Sequence, residues 1–105
     1  MATIKWNKKA RREFTENLLY ARLEFGQETA MRWFERRHVV EERLRKQPES
    51  YPPEPLIMKR RIYRWAKIVG SFKLIYYYVP TSDIVRIVDI WDMRMSPQTL
   101  RNRIK

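Results

Sequence analysis

The chain has 105 residues, 23 of them Lys or Arg against 12 Asp or Glu, so it carries a formal charge of +11 on a body with room for one hydrophobic core. With 44% hydrophobic and 13% aromatic residues it is a folded domain, 1–105, and not a basic disordered tail. Zero cysteines exclude a disulfide scaffold and a Cys-based zinc site, and a single histidine leaves no His cluster, so no metal or other cofactor is expected.

The N-terminal stretch MATIKWNKKARREF is charged from the start and has no apolar core of a signal peptide, and no run approaches the ~18 apolar residues of a membrane span. A cytoplasmic location without a membrane partner is the expectation. Thr3-Ile4-Lys5-Trp6 alternates as a short strand, and Asn7 is placed to cap the helix that follows. From Lys8 onward, Ala10, Phe14, Leu18, Ala21 and Phe25 form one helical stripe, which Gly26 should end with a left-handed C′ residue. A second helix over about 28–46 should bury Ala30, Trp33, Phe34, Val40 and Leu44. Arg37 and Glu41 interrupt that stripe four residues apart, either paired with each other or offered to a partner. One short turn between two amphipathic helices predicts an antiparallel hairpin.

Four of the six prolines then fall in residues 48–55, a helix stop and extended connector. The basic run Met58-Lys59-Arg60-Arg61-Ile62-Tyr63-Arg64 leads into three strands over 62–69, 72–79 and 84–91. Gly70-Ser71 suits a two-residue turn with Gly at positive φ, and Pro80-Thr81-Ser82-Asp83 suits a longer hairpin loop. Residues 95–105 open with Ser96-Pro97, a possible helix start or else a frayed tail. The expected fold is α+β: a two-helix hairpin on one face of a small, mainly antiparallel sheet, in the order β-α-α-β-β-β. The sheet's other face should then be open.

Alternation over 72–79 sets Phe72, Leu74, Tyr76 and Tyr78 on one face and Lys73, Ile75, Tyr77 and Val79 on the other. In the last strand Arg86, Asp92 and Arg94 share parity with Ile84, Val88 and Ile90, a mixture that a bulge near Val88-Asp89 would explain. Arg64, Lys73 and Arg94, one from each strand of the meander, are expected to gather on the open face. Around them Arg60, Arg61, Tyr63, Trp65, Lys67, Tyr77 and Arg86 give the composition of a surface that grips phosphates and stacks bases. A merely solvated, charged sheet face fits the same composition. His38 is alone on its helix, Asp89 and Asp92 have opposite parity, and Gly26 and Gly70 are the only glycines, so no phosphate loop, acid pair or activated nucleophile is visible. Chemistry run on Arg, Lys and Tyr points to cleavage of RNA, whose own 2′-hydroxyl attacks while cations stabilise the charged phosphorane.

The stretches IKWNKKARREFTENLLYARLEFGQETAMRWF, LRKQP, FKLIYYYV and VRIVDIWDMRMSP together resemble the RelE/ParE superfamily of bacterial toxins from type II toxin-antitoxin modules. The likeness covers nearly the whole chain. It rests on Ala10, Gly26, Ala30, Leu44 before Pro48, the Phe72-Lys73-Leu74 strand start and the closing Arg94. The resemblance implies a partner antitoxin and one of two targets: RelE-like members cleave mRNA on the ribosome, and ParE-like members inhibit DNA gyrase. Carried over by position, it implies catalytic roles for Arg64, Lys73 and Arg94. The RelE-like terminal Tyr position falls near Leu100, and no Tyr or His follows Tyr78. The leading expectation is a toxin that cleaves ribosome-bound mRNA; a gyrase inhibitor and a non-catalytic nucleic-acid-binding module are the alternatives.

Overall fold

A computed structural model describes residues 1–104; Lys105, the end of the basic tail, lies outside the described residues. The elements are β1 (Thr3–Trp6), α1 (Lys8–Phe25), α2 (Gln27–Lys46), β2 (Arg64–Lys67), β3 (Phe72–Val79), β4 (Ile84–Asp92) and α3 (Pro97–Arg103). The four strands form one sheet in the order β1-β4-β3-β2, antiparallel except for the parallel pair β1 and β4. The expected order and class are those observed, with α3 added at the end.

The helix hairpin turns on Gly26, which has φ 93° and ψ 175°. The φ is positive as expected, but ψ lies far from the left-handed helical value, and only a residue without Cβ holds this conformation cheaply. Asn7 occupies the N-cap of α1, yet its side chain caps nothing; its carbonyl accepts from Arg11 N–H at 3.0 Å. Gly70 makes the β2–β3 turn at φ 58°, closed by Phe72 N–H donating to the Val69 carbonyl. Asp83, at φ 54°, ends the next hairpin loop and accepts from the Tyr78 hydroxyl at 2.7 Å. Strand β2 is half the expected length. Arg64 pairs outward only with Pro53, in a bridge closed on either side by Glu54 N–H donating to the Tyr63 carbonyl at 2.7 Å and Trp65 N–H donating to the Pro52 carbonyl at 3.1 Å.

Between the hairpin and the sheet lies the main core, formed by Ala10, Phe14, Ala21, Trp33, Val40, Leu44, Leu74, Tyr76, Val85, Ile87 and Ile90. Trp33 bridges the layers, with ring centroids 5.8 Å from Phe14 and 5.0 Å from Phe72. Phe25 and Phe34, expected inside, are 67% and 49% exposed, Phe34 meeting the core through the edge of Phe14 at 6.2 Å between ring centroids. Arg37 and Glu41 do pair, at 2.7 Å, and the guanidinium also lies over the rings of Trp6 and Phe14. Their place in the stripe is therefore a snorkelling edge position.

In β4 the ladder pairs Ile75 with Asp89 and Tyr76 with Ile87, so Val88 is the extra residue of a bulge. This resolves the mixed parity: Val85 and Ile87 face the helices before it, Ile90 after it, and Trp91 turns to the far side.

The far side is not open. A second cluster of Ile57, Tyr63, Ile75, Trp91, Leu100 and Ile104 covers the half of it nearest the β2–β3 turn. Its lid is α3 together with residues 54–63. Ser96 Oγ accepts from Gln98 N–H, Pro97 occupies the first turn, and Leu100 is fully buried. Arg101 Nε donates to the Leu56 carbonyl at 3.0 Å, tying the lid's two parts together.

Candidate functional site

The three cations expected to converge do not. Antiparallel register sets Arg64 opposite Tyr76 and Lys73 opposite Lys67, so Arg64 points to the helix side and Lys73 to the far side. Arg64 donates to the Tyr51 carbonyl at 2.7 Å and lies 3.9 Å from Glu49. Lys73 is 6% exposed, paired with the buried carboxylate of Glu54 and lying 5.2 Å from the Trp65 ring centroid. A buried ammonium so paired is neutralised and out of a polyanion's reach. Arg94 lies two residues beyond β4 and is bidentate to Asp92, whose carboxylate also accepts from Ser71 Oγ. The Arg94 hydrogen bond holds the Asp92 pKa down at about 2. Arg94 sits instead at the rim of an apolar groove of about 580 Å³, lined by Tyr20, Phe25, Trp33, Val69 and Phe72.

Cations do gather elsewhere on the far side, on the half that α3 leaves uncovered. There a groove of about 730 Å³ runs between the start of α1, residues 59–63 and the end of α3. Lys9, Lys59, Arg60, Arg61 and Arg103 line it with Asn7, Tyr63 and Tyr77. Beside it, the register aligns Lys5, Arg86 and Tyr77 in one row across β1, β4 and β3. Arg60, Arg61, Tyr63 and Tyr77 thus fall together as expected, with Arg86 adjoining. Lys67 does not; it is exposed at the far end of β2, and its carbonyl accepts from Arg36.

The tyrosines expected to stack bases are largely engaged within the protein. Tyr63 is 8% exposed, burial pushes its hydroxyl pKa up, and its ring meets Tyr77 edge-on at 5.5 Å. The Arg61 guanidinium sits 4.2 Å over the face of Tyr77. Both rings are used to hold Arg61 in place.

Arg103 has a structural duty. It bonds the fully buried Asp89 at 2.6 Å and reaches Glu13 of α1 at 3.4 Å. Burial raises the Asp89 pKa, and Arg103 and then Lys9 oppose that shift. Among the described residues, one Asp89 oxygen and Arg103 Nε have no partner. Lys9, Lys59 and Arg103 were not singled out from sequence. Lys59 sits in a basic run that is visible there, whereas Lys9 and Arg103 come from opposite ends of the chain and meet only after folding.

Nothing in this region supplies a nucleophile with its base, and His38 stands exposed on α2. Among the described residues no three His, Asp or Glu side chains converge on a metal-sized site, and no helix is long and apolar enough to cross a membrane.

The family described as "ParE toxin of type II toxin-antitoxin system, parDE" matches residues 4–97. The chain belongs to this ParE toxin family. Among solved structures, one described as "Chromosomal ParDE TA system from P. aeruginosa" is similar at a TM-score of 0.65 and 15% identity, over 86% of this chain and 94% of that one. At that identity the likeness speaks for the fold. No curated protein matches the sequence closely enough to add to this. The family match narrows the superfamily resemblance seen in the sequence to its ParE branch.

Proposed function

We propose that this toxin acts by inhibiting DNA gyrase and not by cleaving mRNA, and that a cognate antitoxin neutralises it. The observation that carries this reading is the burial of Lys73 against Glu54, with Arg64 and Arg94 on separate surfaces. Ribonuclease chemistry on this scaffold would need those cations on one phosphate, since no Tyr or His follows Tyr78 to move a proton. Inhibition by binding has no such requirement. Membership of the ParE family supports the same target.

For the antitoxin, the apolar groove beside Arg94 favours an amphipathic segment. In that groove Tyr20 and Phe25 of the hairpin remain exposed. Such residues bind an apolar helical stripe, and the chain's charge of +11 favours acidic residues on the segment's rim.

The test is to add purified toxin to gyrase with relaxed plasmid and, separately, to translating ribosomes. Loss of supercoiling or accumulation of cleaved plasmid is expected, with mRNA intact. Cut mRNA with gyrase unaffected would overturn the reading.

A further inference from the structure

We propose that the basic groove between α1, residues 59–63 and α3 clamps the phosphodiester backbone of duplex DNA. The choice of DNA over RNA rests on the gyrase reading; the phosphate clamp rests on the groove alone.

Charge gives the first argument. Lys59, Arg60 and Arg61 are consecutive, exposed and without an acidic partner among the described residues, whereas the cations of the helix hairpin include several paired ones. Lys9 approaches from α1, held near the groove by donating to the Arg103 carbonyl at 3.4 Å. Lys5 and Arg86 continue the positive surface along the open half of the sheet. A concave surface with several free cations concentrates potential and captures a polyanion by releasing its counterions.

Organisation gives the second argument. Arg61 is stacked on Tyr77, Tyr77 is braced by Tyr63, and the groove's wall is fixed by the Asp89–Arg103–Glu13 contacts. A guanidinium held this way loses little side-chain entropy on meeting a phosphate. The engagement of the groove's two tyrosine rings gives the third. A single strand is held by stacking its bases, but Tyr63 is buried and the half-buried Tyr77 lies under the Arg61 guanidinium, so the groove is better suited to gripping backbone than to stacking unpaired bases. That selects a duplex, read without sequence preference. It also places the DNA-facing surface on the opposite side of the sheet from the apolar groove proposed for the antitoxin.

The test is fluorescence anisotropy with a short labelled DNA duplex of arbitrary sequence, its single strand and an RNA duplex, titrated over a range of salt. The groove variant is Lys59→Gln, Arg60→Gln, Arg61→Gln; a charge-matched control is Arg22→Gln, Arg32→Gln, Lys46→Gln on the exposed helix surface. The wild type should bind the DNA duplex more tightly than either other ligand. The groove variant should lose about one unit of log–log salt slope for each phosphate contact removed and fall at least about tenfold below the control in affinity. An unchanged melting temperature checks that the exposed substitutions leave the fold intact. Equal losses in both variants, or no duplex binding, would overturn the clamp; equally tight RNA duplex binding would overturn the assignment to DNA. Because gyrase is absent from this assay, its result stands apart from the target test above.

Discussion

On the helix side of the sheet the core is apolar and self-sufficient: Trp33 reaches from Phe14 to Phe72, and the charged pair in the stripe, Arg37–Glu41, is kept at the edge. On the far side a short helix and a proline-rich connector cover only half the sheet, and two buried carboxylates, Glu54 and Asp89, are matched to Lys73 and Arg103. The difference teaches where function can reside. The long amphipathic helices bury most of their side and leave an apolar groove at its margin, whereas the seven-residue α3 leaves a basic margin exposed beside a rigid wall. Buried ion pairs add little net stability, but losing one partner is costly, so the far side should be the more fragile to single substitutions of charge.

The largest effects should come from the buried cluster of the far side. Glu54→Ala leaves Lys73 buried and alone and should cost about 3–5 kcal/mol in urea unfolding, while Glu54→Leu with Lys73→Met should recover most of that loss. If the single variant were nearly neutral, the far side would not depend on its charges. Leu100→Ala should cost about 2–5 kcal/mol and speed amide exchange in α3 before the helix hairpin responds. Uniform exchange throughout would mean that the two sides unfold as one unit.

The two carboxylates of β4 should respond to pH with opposite sign. Arg94 depresses the Asp92 pKa, so its contribution is present above an unfolded-state pKa of about 3.9 and is lost as the pH falls toward about 2. The melting-temperature gap between wild type and Asp92→Asn should therefore shrink on acidification through that window. Burial raises the Asp89 pKa, so its contribution is present below the unfolded value and is lost as the pH rises through the folded one. Relative to Asp89→Asn, the wild type should lose stability with rising pH. The smallest effect belongs to the helix side's own ion pair: a double-mutant cycle on Arg37 and Glu41 should return about 0.3–0.5 kcal/mol.

Much of this was legible beforehand. Apolar spacing located both long helices, Gly26 and Gly70 marked positive φ, and the parity conflict in β4 located a bulge that falls on Val88. Local rules sufficed because each of these features is decided within a few residues of chain. Convergence of Arg64, Lys73 and Arg94 was a different kind of inference, and it failed. One strand's pairing register reversed the face of Arg64, and a carboxylate in the proline connector claimed Lys73.

The amino-acid sequence by itself determined the elements, their order, the antiparallel meander and the strong positive field, since periodicity, turn chemistry and composition are local or additive. Tertiary structure alone decided which cations are free to meet a partner. Register selects the face of each side chain, and the seven residues of α3 select which half of that face stays exposed. Both depend on contacts between segments far apart in the chain, such as Asp89 with Arg103 and Glu13, and no spacing rule encodes them.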